Sequence, residues 1–241
     1  LYKAVMIKIN QKIEQPLNHK TECLILPCLE IKKPTGLLKE IDDNLQGAIS
    51  AAFKNKRFSG KSNQTLLLNS TGKASNILLL GIGTAKEATA EKICQAAATA
   101  VKVLEKSKFK SVAADLGAFE TIGKGKSGLY GELAGAVAEG AGLALYHFDE
   151  YKSRDKKDAP PSRLQKLTLV SATKTRLATL AKSIIRAEKI VDAVYAARDL
   201  VSHPGNTATP TYLANHAKKM ARKNKITCKV LGKKEMKNQQ Y

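Results

Sequence analysis

Ile77–Leu104 reads ILLLGIGTAKEATAEKICQAAATAVKVL. It opens on an unbroken apolar run, the pattern of a strand buried on both faces. Gly81 and Gly83 end that run, and glycines there let the backbone turn tightly or expose amides to an anion. Thr89 has the side chain of a helix N-cap, and Ile93, Ala97, Val101 and Leu104 recur behind it at helical spacing. Strand, glycine turn and capped helix make half of a parallel β-α-β unit, so the stretch predicts an α/β fold.

The segments on either side extend that prediction. Upstream, AVMIKI (Ala4–Ile9), ECLILPCLE (Glu22–Glu30) and TLLLN (Thr65–Asn69) read as strands. The short turn Ser70-Thr71-Gly72-Lys73 pairs the last of these with the strand at Ser75–Gly83 as a hairpin. From Gly36 to Phe53, the residues Leu37, Leu38, Ile41, Leu45, Ile49 and Phe53 fall on one face of a single helix. Downstream come a strand at SVAADLG (Ser111–Gly117), an Ala/Gly-rich helix from Leu129 to Phe148 and a strand at LQKLTLV (Leu164–Val170). A long helix follows from about Thr175 to Val201, then a helix from about Thr211 to Asn224 and a strand at ITCKVLG (Ile226–Gly232). Strands alternating with helices predict a mixed, largely parallel sheet covered by helices, followed by a long connector helix.

The bulk totals set limits on function. Lys and Arg number 41 against 21 Asp and Glu, a net charge of +20, and such a surface attracts polyanions in a salt-dependent way. The candidate nucleic-acid contacts are the basic loop Lys54, Lys56, Arg57 and Lys61, the loop Lys152, Arg154, Lys156, Lys157 and Arg163, and the cluster Lys218, Lys219, Arg222 and Lys223. No apolar run is long enough for a membrane-spanning helix and the N-terminus lacks a signal-peptide layout, so a cytoplasmic protein with no membrane partner is expected. Cys23, Cys28, Cys94 and Cys228 read as reduced thiols, the C-x4-C pair having no second pair to complete a zinc site.

Chemistry-bearing motifs are few. GKGKSG (Gly123–Gly128) ends like a phosphate loop, but Glu120 stands where that loop needs its first glycine. Gly81, Gly83 and Thr84 form a candidate ligand turn. His19, His147, His203 and His216 show no metal-ligand spacing, and no Gly-x-Ser-x-Gly elbow is present. From Leu200 on, nine Lys and Arg residues stand against the single carboxylate of Glu235, which leaves that segment unable to build a carboxylate-rich metal centre.

Three stretches together carry a family resemblance. One is Arg198-Asp199-Leu200-Val201, then Pro204 and Asn206, then Thr209-Pro210-Thr211-Tyr212-Leu213-Ala214. The second is the strand, Gly-x-Gly and helix unit at Ile77–Leu104, and the third is EGAGLALYHFDEYKS (Glu139–Ser153). In this order and spacing they resemble the leucyl aminopeptidase family, the cytosolic two-metal aminopeptidases. The resemblance implies a macro-domain-like N-terminal domain over 1–174, a connector helix over 175–201 and the start of a catalytic domain over 202–241. It further implies a parent enzyme that forms a hexamer and releases N-terminal amino acids from peptides with two divalent metals, Mn or Zn. The family holds those metals with Lys, Asp and Glu residues around an Asn-Thr-Asp-Ala-Glu-Gly-Arg signature, and they would activate water and polarise the scissile carbonyl. That signature is absent here. No catalytic or metal-binding residue is therefore assigned, no cofactor is expected in this chain, and the chain alone is expected to be inactive. Two alternatives remain open: a basic DNA-binding module, as in some bacterial members, and an ADP-ribose-type binder using the turn at Gly81–Thr84.

Overall fold

The computed structural model describes residues 7–122, 129–152, 164–172 and 177–239. Its centre is a six-stranded sheet of β1 (Lys8–Ile13), β2 (Cys23–Leu29), β3 (Thr65–Asn69), β4 (Asn76–Gly83), β5 (Ser111–Asp115) and β6 (Lys166–Ser171), in the order β1-β6-β5-β2-β4-β3. All pairs are parallel except β3–β4, the expected hairpin, whose antiparallel register sets Leu66 against Leu79. The fold is thus the mixed, largely parallel α/β sheet expected.

Side chains along the strands alternate between two cores. Cys23, Ile25, Leu78, Leu80, Val112, Ala114, Leu167 and Leu169 face one core. It is filled from α3 (Ala90–Lys106), α4 (Leu116–Ile122), α5 (Leu129–Ala144) and the first half of α6 (Leu177–Ser202). Leu24, Leu26, Cys28, Ile77, Leu79, Ala113 and Val170 face the other, closed by α1 (Leu37–Asn44), α2 (Ala48–Lys54) and Phe58. Helices on both faces explain why β2 and β4 are apolar almost throughout. Cys23 and Cys28 belong to opposite cores, so their C-x4-C spacing cannot converge on one ion. All four cysteines are free thiols.

The chain divides into two compact units, Leu1–Ala193 and Val194–Tyr241. The second holds the end of α6, then α7 (Pro210–Asn224) and α8 (Lys233–Asn238). Between α6 and α7 the chain turns. Thr207 and Ala208 donate to the Pro204 carbonyl, Thr209 Oγ1 accepts from the Tyr212 amide at 3.3 Å, and Pro210 occupies the first turn. Proline there costs nothing, because that amide has no partner within the helix. The His203 ring meets Tyr212 edge-on, with Nε2 3.1 Å from the hydroxyl.

Four expectations need correction. The first strand is Lys8–Ile13 rather than Ala4–Ile9, with residues 1–6 outside the described ones. As an edge strand it pairs with β6 through its backbone, so the polar run Asn10-Gln11-Lys12 serves as well as an apolar one. The single helix over 36–53 is two helices, broken where Gln46 and Gly47 take positive φ. The buried Asp42 starts the second helix from a distance: Oδ1 accepts from the Ile49 amide at 2.7 Å and the Ser50 amide at 3.1 Å, and Oδ2 accepts from the Ser50 hydroxyl. The helix from Leu129 ends at Ala144 rather than Phe148. The segment 226–232 is not a strand; it is largely exposed, and no strand lies beside it among the described residues of the second unit. Apolar alternation makes a strand only where a sheet edge is available to pair with.

Candidate functional site

Two adjacent strands in the middle of the sheet send the chain in opposite directions. β2 leads to α1 on one face, while β5 leads directly into α4 on the other. At such a switch point the carboxyl ends of the strands splay open and leave a crevice. A cavity of about 410 Å³ lies there, bounded by Leu26 and Cys28 of β2, Leu38 of α1, Pro16, Asp115 at the end of β5, and Ile122 of α4. Its size suits a small organic ligand.

Among the described residues, Asp115 is the one carboxylate lining the cavity, and no Lys, Arg or His lines it. Only 3% of the residue is exposed. Oδ1 accepts from the Ala118 amide at 3.0 Å, which ties the carboxylate to the first turn of α4. Burial pushes its pKa up, while the amides of Ala118 and Gly117 pull it down. Among the described residues no cation pairs with it. The Cys28 thiol, also on the wall, is pushed up to about 12 by burial and stays protonated at neutral pH.

The candidate ligand turn lies at the end of β4, and none of its three residues lines this cavity. Its amides are engaged: Gly81 N–H donates to the Gln64 carbonyl at 2.7 Å and Gly83 N–H to the Gly60 carbonyl at 2.9 Å. Thr84 gives its amide and hydroxyl to the Glu87 carboxylate, whose pKa they lower. The glycine at 81 serves packing, since a Cβ there would sit 2.7 Å from the Gly60 carbonyl carbon and closer still to the Lys61 oxygen.

The basic candidates are spread over both units. Lys54, Lys56, Arg57 and Lys61 are exposed at the end of α2 and in the loop before β3. Lys152 is ion-paired with Asp149 at 2.8 Å; Arg154, Lys156, Lys157 and Arg163 lie outside the described residues, as does GKGKSG. Lys218, Lys219, Arg222 and Lys223 are exposed on one side of α7, as two i,i+4 pairs. Three of the histidines have polar neighbours: His19 meets Glu14, His147 lies 3.1 Å from Glu105, and His203 meets Tyr212. Among the described residues no three His, Cys, Asp or Glu side chains are placed to hold a metal ion. The described residues do not supply the ligands of a two-metal centre. No helix formed by the described residues is long and apolar enough to cross a membrane.

The model of the cytosol aminopeptidase family, N-terminal domain, matches residues 25–155, more than half of the chain. The chain belongs to the cytosol aminopeptidase family. Within it, the chain is 32% identical over 233 residues to a probable cytosol aminopeptidase of Geobacter sp. (strain M21), covering 95% of the chain and 45% of the relative. A tomato leucine aminopeptidase mutant superposes with a TM-score of 0.80 at 25% identity, over 100% of this chain and 47% of that one. The bottromycin maturation enzyme BotP in complex with Mn matches with a TM-score of 0.65 over 90% of this chain and 40% of that one; at 24% identity the likeness is one of fold. The chain therefore spans less than half the length of each protein it matches here.

Proposed function

We propose that this chain is the N-terminal, non-catalytic portion of a cytoplasmic leucyl aminopeptidase. The parent reaction would be metal-dependent release of N-terminal amino acids from peptides. One observation carries the reading: the N-terminal-domain model covers β2 to the loop after α5, while the matched relatives are about twice as long. In the parent, residues 1–174 would form this domain, 175–201 the connector and 202–241 the first part of the catalytic domain. Its work would be to hold subunits together in a homo-oligomer, a hexamer by resemblance, and to shape access to the catalytic domain. The two divalent ions, Mn or Zn, would belong to the catalytic portion; BotP, a relative by fold, is described with Mn. The test is a leucyl chromogenic substrate with the purified chain and added Mn or Zn. No release above blank is expected. Chelator-sensitive release that co-purifies with the chain would overturn the reading.

A second reading, a basic nucleic-acid-binding module, has the charge as its whole support: α7 carries no acidic residue, and its four cations are exposed. Removing one phosphate-binding cation would lower the steepness of salt dependence by about one in a log–log plot. A mobility-shift titration on duplex DNA at rising salt, with Lys218, Lys219, Arg222 and Lys223 replaced by Gln, tests it. Absence of binding at low salt excludes it.

A further inference from the structure

We propose that the cavity at the carboxyl ends of β2 and β5 binds a flat, largely apolar small molecule whose cationic or N–H-donating head meets the Asp115 carboxylate. The proposal stands apart from the aminopeptidase reading, since it concerns a ligand of this unit alone.

Three independent features converge on it. The first is position: the cavity lies between adjacent parallel strands whose onward chains leave toward opposite faces, where the fold itself makes a crevice. The second is shape and lining. About 410 Å³ lined by Pro16, Leu26, Leu38 and Ile122 suits one ring system. The third is the carboxylate of a residue only 3% exposed, with no cation beside it among the described residues. A carboxylate offers about four acceptor sites, and here the amides of Ala118 and Gly117 are the donors it meets. Taking it out of water is costly without a charged partner. A ligand head with two N–H donors would supply that partner, while the apolar walls would take up its ring.

The sign of the ligand follows from the same lining. This protein carries a net charge of +20, yet among the described residues no Lys or Arg lines the cavity. A phosphate-bearing or carboxylate ligand would meet Asp115 with no cation among the described lining residues to offset the repulsion. The site therefore favours an aromatic amidine or amine.

Benzamidine is the probe, with benzoate as a ring of the same size and opposite charge, and inorganic phosphate as a third ligand. The full chain is titrated and followed by amide chemical shifts. Benzamidine should move Leu29, Gly117, Ala118 and Thr121 together, while benzoate and phosphate leave them unmoved. Asp115→Asn keeps an oxygen for the Ala118 amide but removes the charge, and should weaken benzamidine at least ~10-fold, the size of one charge-assisted hydrogen bond. Leu38→Trp fills the cavity, keeps Asp115 and should abolish the shifts. The proposal fails if benzamidine at millimolar concentration moves none of these amides, if benzoate binds equally well, or if Asp115→Asn binds benzamidine as tightly as the parent chain. The benzoate comparison needs no variant, so misfolding of either mutant leaves the test intact.

Discussion

Gly140 in α5 makes a helix–helix approach close enough for a quantitative test. A Cβ built there would lie 2.8 Å from the Cys94 carbonyl carbon and 3.0 Å from its Cα, and closer still to its oxygen. Carbon atoms rest at about 3.5–4.0 Å, so Gly140→Ala must push α5 off α3 by roughly 1 Å. Overpacking of that kind costs about 1–3 kcal/mol, and about 2–3 here, because the obstacle is backbone, which cannot rotate away as a side chain can. Replacing glycine by alanine inside a helix gains about 1 kcal/mol in the opposite direction. The net expectation is about 1–2 kcal/mol of destabilisation, a fall in Tm of roughly 2–8 °C for a chain of this length. Gly135 lies on the same helix and supplies the control: its added Cβ would be 3.4 Å from Ser183, an ordinary contact. Gly135→Ala should keep the helix-propensity gain and raise Tm by roughly 2–4 °C. Gly142→Ala would meet the Val191 side chain, its methyls at 2.7 and 3.0 Å and its Cβ at 3.3 Å, and should fall between them. Thermal and urea melts followed by circular dichroism measure all three. A Gly140→Ala chain as stable as the parent, or a Gly135→Ala chain as damaged as Gly140→Ala, would refute the reasoning.

Asp42→Ala should cost about 2–4 kcal/mol in urea unfolding, because it strands the buried Ile49 amide and two Ser50 donors; Asp42→Asn, which keeps Oδ1, should lose less than half of that. In the native chain at pH 8, iodoacetamide should label the exposed Cys228 first. Cys23 and Cys28, each pushed up to about 12 by burial, should label only once the chain unfolds. Intact-mass spectrometry reads the order, and native labelling of Cys28 would contradict its burial.

Much of the fold was legible because its central strands are buried on both faces and have no polar position to confuse the pattern. Thr89 is a further case: its hydroxyl accepts from the Lys92 amide at 3.2 Å, as expected of a cap, and Ile93, Ala97, Val101 and Leu104 are all buried. What stayed hidden depended on partners distant in sequence. Apolar residues keep helical spacing straight through Leu45, so nothing local shows that Asp42 ends one helix and starts the next. β1 is defined by its pairing with β6, more than 150 residues away, and its side chains carry little of that information.

The cavity stayed hidden for a related reason. Glycines mark the candidate ligand turn, but those at 81 and 83 serve the packing of the loop at 60–62 against β4. The informative residue was Asp115, a carboxylate closing the apolar run Val112-Ala113-Ala114 immediately before a helix. In an α/β sheet that position is the mouth of the crevice, and a charge there is costly unless something comes to meet it. The bulk charge pointed the other way, toward anions. Exposed lysines act through water, where their fields fade within roughly 8 Å at physiological salt, whereas a buried carboxylate acts on whatever enters its own low-dielectric pocket. The sign of a ligand is therefore set by the groups that line its site. Among the described residues at the end of β5, that group is a single negative charge in a strongly positive protein.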